Sequence, residues 1–180
     1  MIKFYEIDDS YMQRLHDNVD PKVLMHNTGT QKRKFIAVKI QFDGCDYYVP
    51  MSSPDSADFI VDRNGKRKVR RTTAPTIMRF FKGSAVPRNY LGKLLFSNMI
   101  PVPPKYATLV DITAITDIHY RTLLQDQYRV LRTSENWEEI QKRAILVHSM
   151  KLKNEDYGYV RATVDFIRLE KAYKEECVTE

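Results

Sequence analysis

Nowhere in this chain of 180 residues do eighteen apolar residues run together, which excludes a membrane-spanning helix. The opening Met1-Ile2-Lys3-Phe4-Tyr5 lacks the charged head and long apolar middle of a secretory signal, so the expected location is the cytoplasm. Cysteine is scarce. Cys45 and Cys177 form neither a close-spaced metal motif nor a disulfide framework and are read as free thiols. The four histidines, His16, His26, His119 and His148, share no spacing. No G-x-S-x-G, H-E-x-x-H, phosphate-binding glycine loop, dinucleotide fingerprint or zinc spacing occurs, so neither a cofactor nor a metal is expected. Internal repeats and low-complexity stretches are also missing, and the length suits one domain over residues 1–180.

What the chain does have is localised positive charge. Its 29 basic and 23 acidic residues leave a net charge of +6. Arg63, Lys66, Arg67, Lys68, Arg70 and Arg71 stand within nine positions with no acid among them, and removing these six alone would leave the protein neutral. Such a block is the footprint of a polyanion binder, although many such runs are simply solvated loops. Charge does not choose between nucleic acid and membrane; plentiful Tyr and Phe, able to stack on bases, incline the choice weakly toward nucleic acid.

Hydropathy patterns place these residues on elements. Lys3–Ile7 alternates as a strand, and Asp8, Asp9 and Ser10 offer caps for a helix in which Met12, Leu15 and Val19 form the apolar stripe with Tyr11 beside it. Residues 20–32 read as a loop. Ile36, Val38, Ile40 and Phe42 alternate toward Asp43-Gly44, a type I′ hairpin turn, followed by Tyr47, Tyr48 and Val49. A turn there makes cross-strand positions sum to about 87, placing Ser52 and Ser53 opposite Phe35 and Lys34. Residues 55–75 read as a basic excursion from the sheet with a turn at Asn64-Gly65. Strands are expected at Ile77–Phe81 and Leu91–Met99, the latter ended by Pro101, Pro103 and Pro104. Residues 116–177 read as mainly helical, with helices around Tyr120–Leu131, Trp137–Val147 (capped by Ser134) and Phe166–Cys177. Strands followed by helices give an α+β domain with a mainly antiparallel sheet.

The residues gathered by this register suit one chemistry. Cleaving RNA without metal requires a base for the 2′-hydroxyl, an acid for the leaving 5′-oxygen and donors for charge developing on phosphorus. Lys32, Arg33 and Lys34 beside Ser52 and Ser53, near a helix carrying Tyr11, supply cations and hydroxyls together. Each member alone is ordinary: a tyrosine after a cap is usually core, and Ser-Ser-Pro after a strand is usually a turn.

The chain also resembles a known family. Ile2-Lys3-Phe4-Tyr5 with Ser10-Tyr11, Lys34-Phe35-Ile36-Ala37-Val38, and Asp43-Gly44 through Tyr47 to Pro50-Met51-Ser52-Ser53-Pro54 are similar to the ToxN/AbiQ family of type III toxins. Phe80-Phe81-Lys82, Leu91-Gly92, Asn98-Met99-Ile100-Pro101 and Leu169-Glu170-Lys171-Ala172-Tyr173 follow in the family's order, so the likeness spans nearly the whole chain. The resemblance implies a twisted antiparallel sheet wrapped by helices, of the Kid/MazF toxin type. It implies RNA cleavage leaving 2′,3′-cyclic phosphate and 5′-hydroxyl ends. The implied partner is a repeated RNA pseudoknot antitoxin, cut from a precursor by the toxin and bound in closed rings, in the setting of abortive phage infection or plasmid maintenance.

By position the resemblance carries catalytic roles to Tyr11, Ser52 and Ser53, and a basic role to Arg33, flanked by Lys32 and Lys34. Arginine stays charged and cannot act as a base, so Lys34 or Lys32 would have to serve if one is needed. The excursion with Arg63, Lys66, Arg67, Lys68, Arg70 and Arg71 is more basic than the family's pattern and is read, with Lys32, as an RNA-backbone contact. Two other classes stay open: a non-catalytic RNA-binding module using the same cations and tyrosines, and a protein-interaction domain whose basic loop meets an acidic partner.

Overall fold

The computed structural model describes residues 2–25 and 36–178. β1 (Phe4–Ile7) leads to α1 (Asp9–Asn18), which starts where Asp8 Oδ1 accepts the Tyr11 amide at 2.9 Å. β2 (Ile36–Phe42) and β3 (Cys45–Ser52) form the expected hairpin. Asp43 and Gly44 both take positive φ, 50° and 73°, as a type I′ turn demands. The register runs from Phe42 opposite Cys45 to Ile36 opposite Met51, the expected alignment. The expected continuation to Phe35 and Lys34 lies outside the described residues.

Residues 55–75 leave the main sheet as expected. After a 3₁₀ turn at Ser56–Asp58 they form a two-stranded hairpin of β4 (Phe59–Val61) and β5 (Arg67–Val69), with Gly65 at φ 73° in its turn. β6 (Ile77–Phe81) then returns to the sheet. The expected strand over Leu91–Met99 is in fact two. β7 (Tyr90–Leu95) pairs with Met51 and Ser52 at one end of β3, whereas β8 (Ile100–Pro101) pairs with Tyr47 and Tyr48 farther along it. A 3₁₀ turn at Phe96–Asn98 takes up the shift in register between them. Phe96 and Met99 are fully buried, so the apolar pattern continues through a turn that periodicity alone does not reveal.

β9 (Ala107–Leu109), not expected from the sequence, pairs with β1 and completes a seven-stranded antiparallel sheet of order β6-β7-β3-β2-β1-β9, with β8 beside β3. Three amphipathic helices follow: α2 (Ile118–Leu131), α3 (Ser134–Leu152) and α5 (Phe166–Val178), with the short α4 (Gly158–Arg161) between the last two. Thr133, not Ser134, caps α3. Its backbone is extended (ψ 147°) and its hydroxyl accepts the Asn136 amide, whereas Ser134 is already helical.

β3 is buried from Cys45 through Pro50, so both faces of its central stretch are covered. Tyr47 packs edge-on against Phe166 and His148 and donates its hydroxyl to Glu170, which also pairs with His148 Nε2 at 2.7 Å. On α2, Gln127 is buried and its amide donates to the Leu91 carbonyl at 2.8 Å, fixing the helix to β7. None of the described helices is long and apolar enough to cross a membrane.

Candidate active site

Ser52 ends β3, and Ser53 and Pro54 carry the chain out of the sheet, all three half-buried. Ser52 lies directly opposite Lys93 on β7, and Lys93 lies directly opposite Arg79 on β6. Directly opposed residues of antiparallel strands share a face. Hydroxyl, ammonium and guanidinium therefore form one row across three strands. Periodicity could not show this, because β3 and β7 are joined through the whole excursion between them.

The row is anchored by a buried acid. Asp58, 1% exposed, accepts from Lys93 Nζ at 2.8 Å and from Arg79 Nη2 at 3.3 Å through the same Oδ1. Its Oδ2 accepts the Asp55 amide at 3.2 Å, and its backbone carbonyl accepts the Arg70 amide at 2.7 Å. One residue thus ties the turn after the serines, the cationic hairpin and the sheet together. Burial pushes the Asp58 carboxyl upward, but the Lys93 ammonium and the hydrogen bonds outweigh it and leave the carboxyl below the usual carboxylate range. Lys93 also pairs with the more exposed Asp55 at 3.0 Å. Tyr90, beside Asp58, is raised above the usual phenol range, first by burial and then by that carboxylate.

Gly92 makes the geometry possible. Its φ is +140°, and a Cβ there would stand 2.4 Å from the Ser52 carbonyl oxygen. Only glycine lets β7 approach β3 this closely.

The cationic hairpin stands next to this row. Arg63, Lys66, Arg67, Lys68, Arg70 and Arg71 are all exposed. Arg67 lies over the Phe59 ring at 3.8 Å, Lys68 pairs with Asp62 at 2.7 Å, and Arg70 Nε donates to the Ala57 carbonyl. The Lys68 ammonium holds the Asp62 carboxyl down at about 2.

Among the other expected site residues, Lys32, Arg33 and Lys34 lie outside the described residues. Tyr11 requires a correction: it is not beside the apolar stripe but in the core, with 0% exposure. It stacks on Tyr106 at 4.5 Å and donates its hydroxyl to the Pro101 carbonyl at 3.1 Å. Pro101 pairs with Tyr47, five residues along β3 from Ser52 and so about 16 Å away at the rise of a strand. Burial also raises the Tyr11 phenol far above its usual range. The structure does not bring Tyr11 to the serines. Lys93, Arg79, Asp58 and Gly92 were missed; an isolated Lys or Asp in a strand or loop carries no signal, though Leu91-Gly92 stood among the resembling segments.

Fold and site define an antiparallel α+β protein with a cationic hairpin set against a serine–lysine–arginine row. Residues 3–174 match the family of the toxin ToxN of type III toxin-antitoxin systems, and the chain belongs to that family. It is 27% identical over 148 residues to the endoribonuclease ToxN of Bacillus thuringiensis subsp. kurstaki, covering 81% of this chain and 66% of that protein, just under two thirds of its length. A solved toxin, described for selective inhibition by a non-coding RNA pseudoknot, superposes with a TM-score of 0.74 at 26% identity over 98% of both chains. The lactococcal anti-phage endoribonuclease AbiQ shares the fold, with a TM-score of 0.75 at 20% identity over 98% of both chains.

Proposed function

We propose that this chain is a metal-independent, sequence-selective endoribonuclease toxin whose site is the serine end of β3. The observation that carries the reading is the accessible Ser52–Ser53 pair in line with Lys93 and beside the cationic hairpin, in a member of the type III toxin family. The related endoribonucleases and the pseudoknot-inhibited toxin support it.

In the proposed reaction the 2′-hydroxyl of the RNA loses its proton and its oxygen bonds to the adjacent phosphorus. The bond from phosphorus to the 5′-oxygen breaks, and that oxygen takes up a proton. The products are a 2′,3′-cyclic phosphate and a 5′-hydroxyl, with no water consumed. Ser53 and Ser52 donate to the phosphate, Arg33 stabilises its developing charge, and Lys34 or Lys32 takes the proton. Tyr11, locked in the core, has no part in it. Arg63, Lys66, Arg67, Lys68, Arg70 and Arg71 hold the backbone of an RNA antitoxin, a pseudoknot repeat that blocks the site in a closed assembly. The setting is the cytoplasm, in phage defence or plasmid maintenance.

The test is to incubate the purified chain with mixed cellular RNA in EDTA, beside a Ser53→Ala control, and to sequence and chemically type the new ends. Discrete cuts with cyclic-phosphate ends, lost in the control, are expected. Intact RNA that stays tightly bound would replace this reading with a non-catalytic RNA-binding module.

A further inference from the structure

The row Ser52–Lys93–Arg79 is expensive to build. Moving two cations and a carboxylate out of water costs more than their attraction returns unless every donor and acceptor is used, and apolar side chains would hold three strands together as well. Here they are not all used: Arg79 Nε and Nη1 are buried and find no acceptor among the described residues. Stability therefore does not account for the row, and its place beside the serines needs another reason.

The two acids that hold Lys93 differ. Asp58 has a side chain only 1% exposed and is fixed by the Asp55 amide and Arg79, whereas the Asp55 side chain that meets the same ammonium at 3.0 Å is 43% exposed. A pair with one partner open to solvent holds less firmly than one with both partners buried, and a phosphate oxygen is an equivalent acceptor for an ammonium.

We propose that Lys93 is a phosphate-holding residue of the Ser52–Ser53 site, with Asp58 and Arg79 as its positioning residues. In the free protein the Asp55 carboxylate occupies the place that an RNA phosphate oxygen takes in the complex. The proposal rests on the RNA-cleaving reading above. Asp58 keeps the ammonium in the serine row during the exchange, so that a fixed positive charge lies beside the phosphorus without rearrangement when its oxygens become more negative.

The experiment measures binding of a labelled, mixed-sequence single-stranded RNA as a function of salt, in the cleavage-impaired Ser53→Ala background. Lys93→Met should lower the slope of log affinity against log salt by about 0.7, the value of one single-strand phosphate contact, and Lys93→Arg should keep it. Asp55→Asn retains the capping oxygen that accepts the Ala57 amide but removes the competitor, so affinity should rise, up to about fivefold. Asp111→Asn, a capping aspartate beyond β9 at the far edge of the sheet, removes the same charge and should not reproduce that gain. An unchanged slope in folded Lys93→Met, or equal affinities for Asp55→Asn and Asp111→Asn, overturns the proposal while wild-type cleavage keeps the reading beneath it. If Lys93→Met does not fold, the comparison of the two aspartate variants decides alone. A parent chain that neither cuts nor binds RNA overturns both.

Discussion

Gly92→Ala should be among the most damaging single-methyl changes available in this protein. The new Cβ would stand 2.4 Å from the Ser52 carbonyl oxygen, where contacts below 3.0 Å essentially never occur, and the obstacle is backbone that cannot swing away. β7 must then retreat from β3 at the one place where Met51–Ser52 and Lys93–Leu94 pair. Gly65→Ala is the internal control. It too has positive φ, +73°, but an added Cβ meets nothing within 4 Å. A left-handed backbone costs an alanine about 1–2 kcal/mol, and overpacking adds about 1–3 kcal/mol more. Gly92→Ala should therefore cost about 2–5 kcal/mol against about 1–2 kcal/mol for Gly65→Ala. In a chain of this size the middles of those ranges correspond to falls in Tm of roughly 10 °C and 4 °C. Thermal unfolding followed by circular dichroism measures both. Equal shifts for the two variants would refute the close approach of β7 to Ser52.

Three further outcomes follow from the same structure. Asp58 has a depressed carboxyl, so its contribution to stability is present above the usual aspartate value of 3.8 and is lost as pH falls through the lower folded value. Asp58→Asn should cost about 3–5 kcal/mol at neutral pH and flatten the fall in urea midpoint below about pH 4, and a parallel acid profile would contradict the sign. Neutralising Arg67, Lys68, Arg70 and Arg71 together should reduce the salt slope of RNA binding by roughly 2–3, and an unchanged slope takes the hairpin out of the interface. Tyr11→Phe leaves the Pro101 carbonyl without its donor, a loss of about 1 kcal/mol or a few degrees in Tm; an unaltered Tm would mean that this bond contributes nothing.

Much of the architecture was legible in the chain itself, because it depends on neighbours in sequence. Asp43-Gly44 can adopt the positive φ values of a tight turn, so the β2–β3 hairpin and its register follow from the local sequence. Capping residues marked the start of α1, 3.6-residue periodicity marked α1, α2, α3 and α5, and the absence of acids between Arg63 and Arg71 marked the cationic excursion. Family membership was legible through ordered segments such as Pro50-Met51-Ser52-Ser53-Pro54.

Contacts between distant segments were not legible. Tyr11 read as a site residue through the family resemblance, yet a phenol on a buried helix face goes where the core has room, and its hydroxyl found the Pro101 carbonyl. The break between β7 and β8 was hidden because buried turns and buried strands have the same apolar composition. The serine pair was visible in the sequence, but its surroundings were not. Lys93 and Arg79 fall in line with Ser52 only because β6, β7 and β3 are neighbours in the sheet, and Asp58 reaches the two cations only because the excursion folds back over that edge. The sequence determined which residues carry charge and hydroxyls and which short segments turn or coil; burial and strand order decided which of them stand side by side.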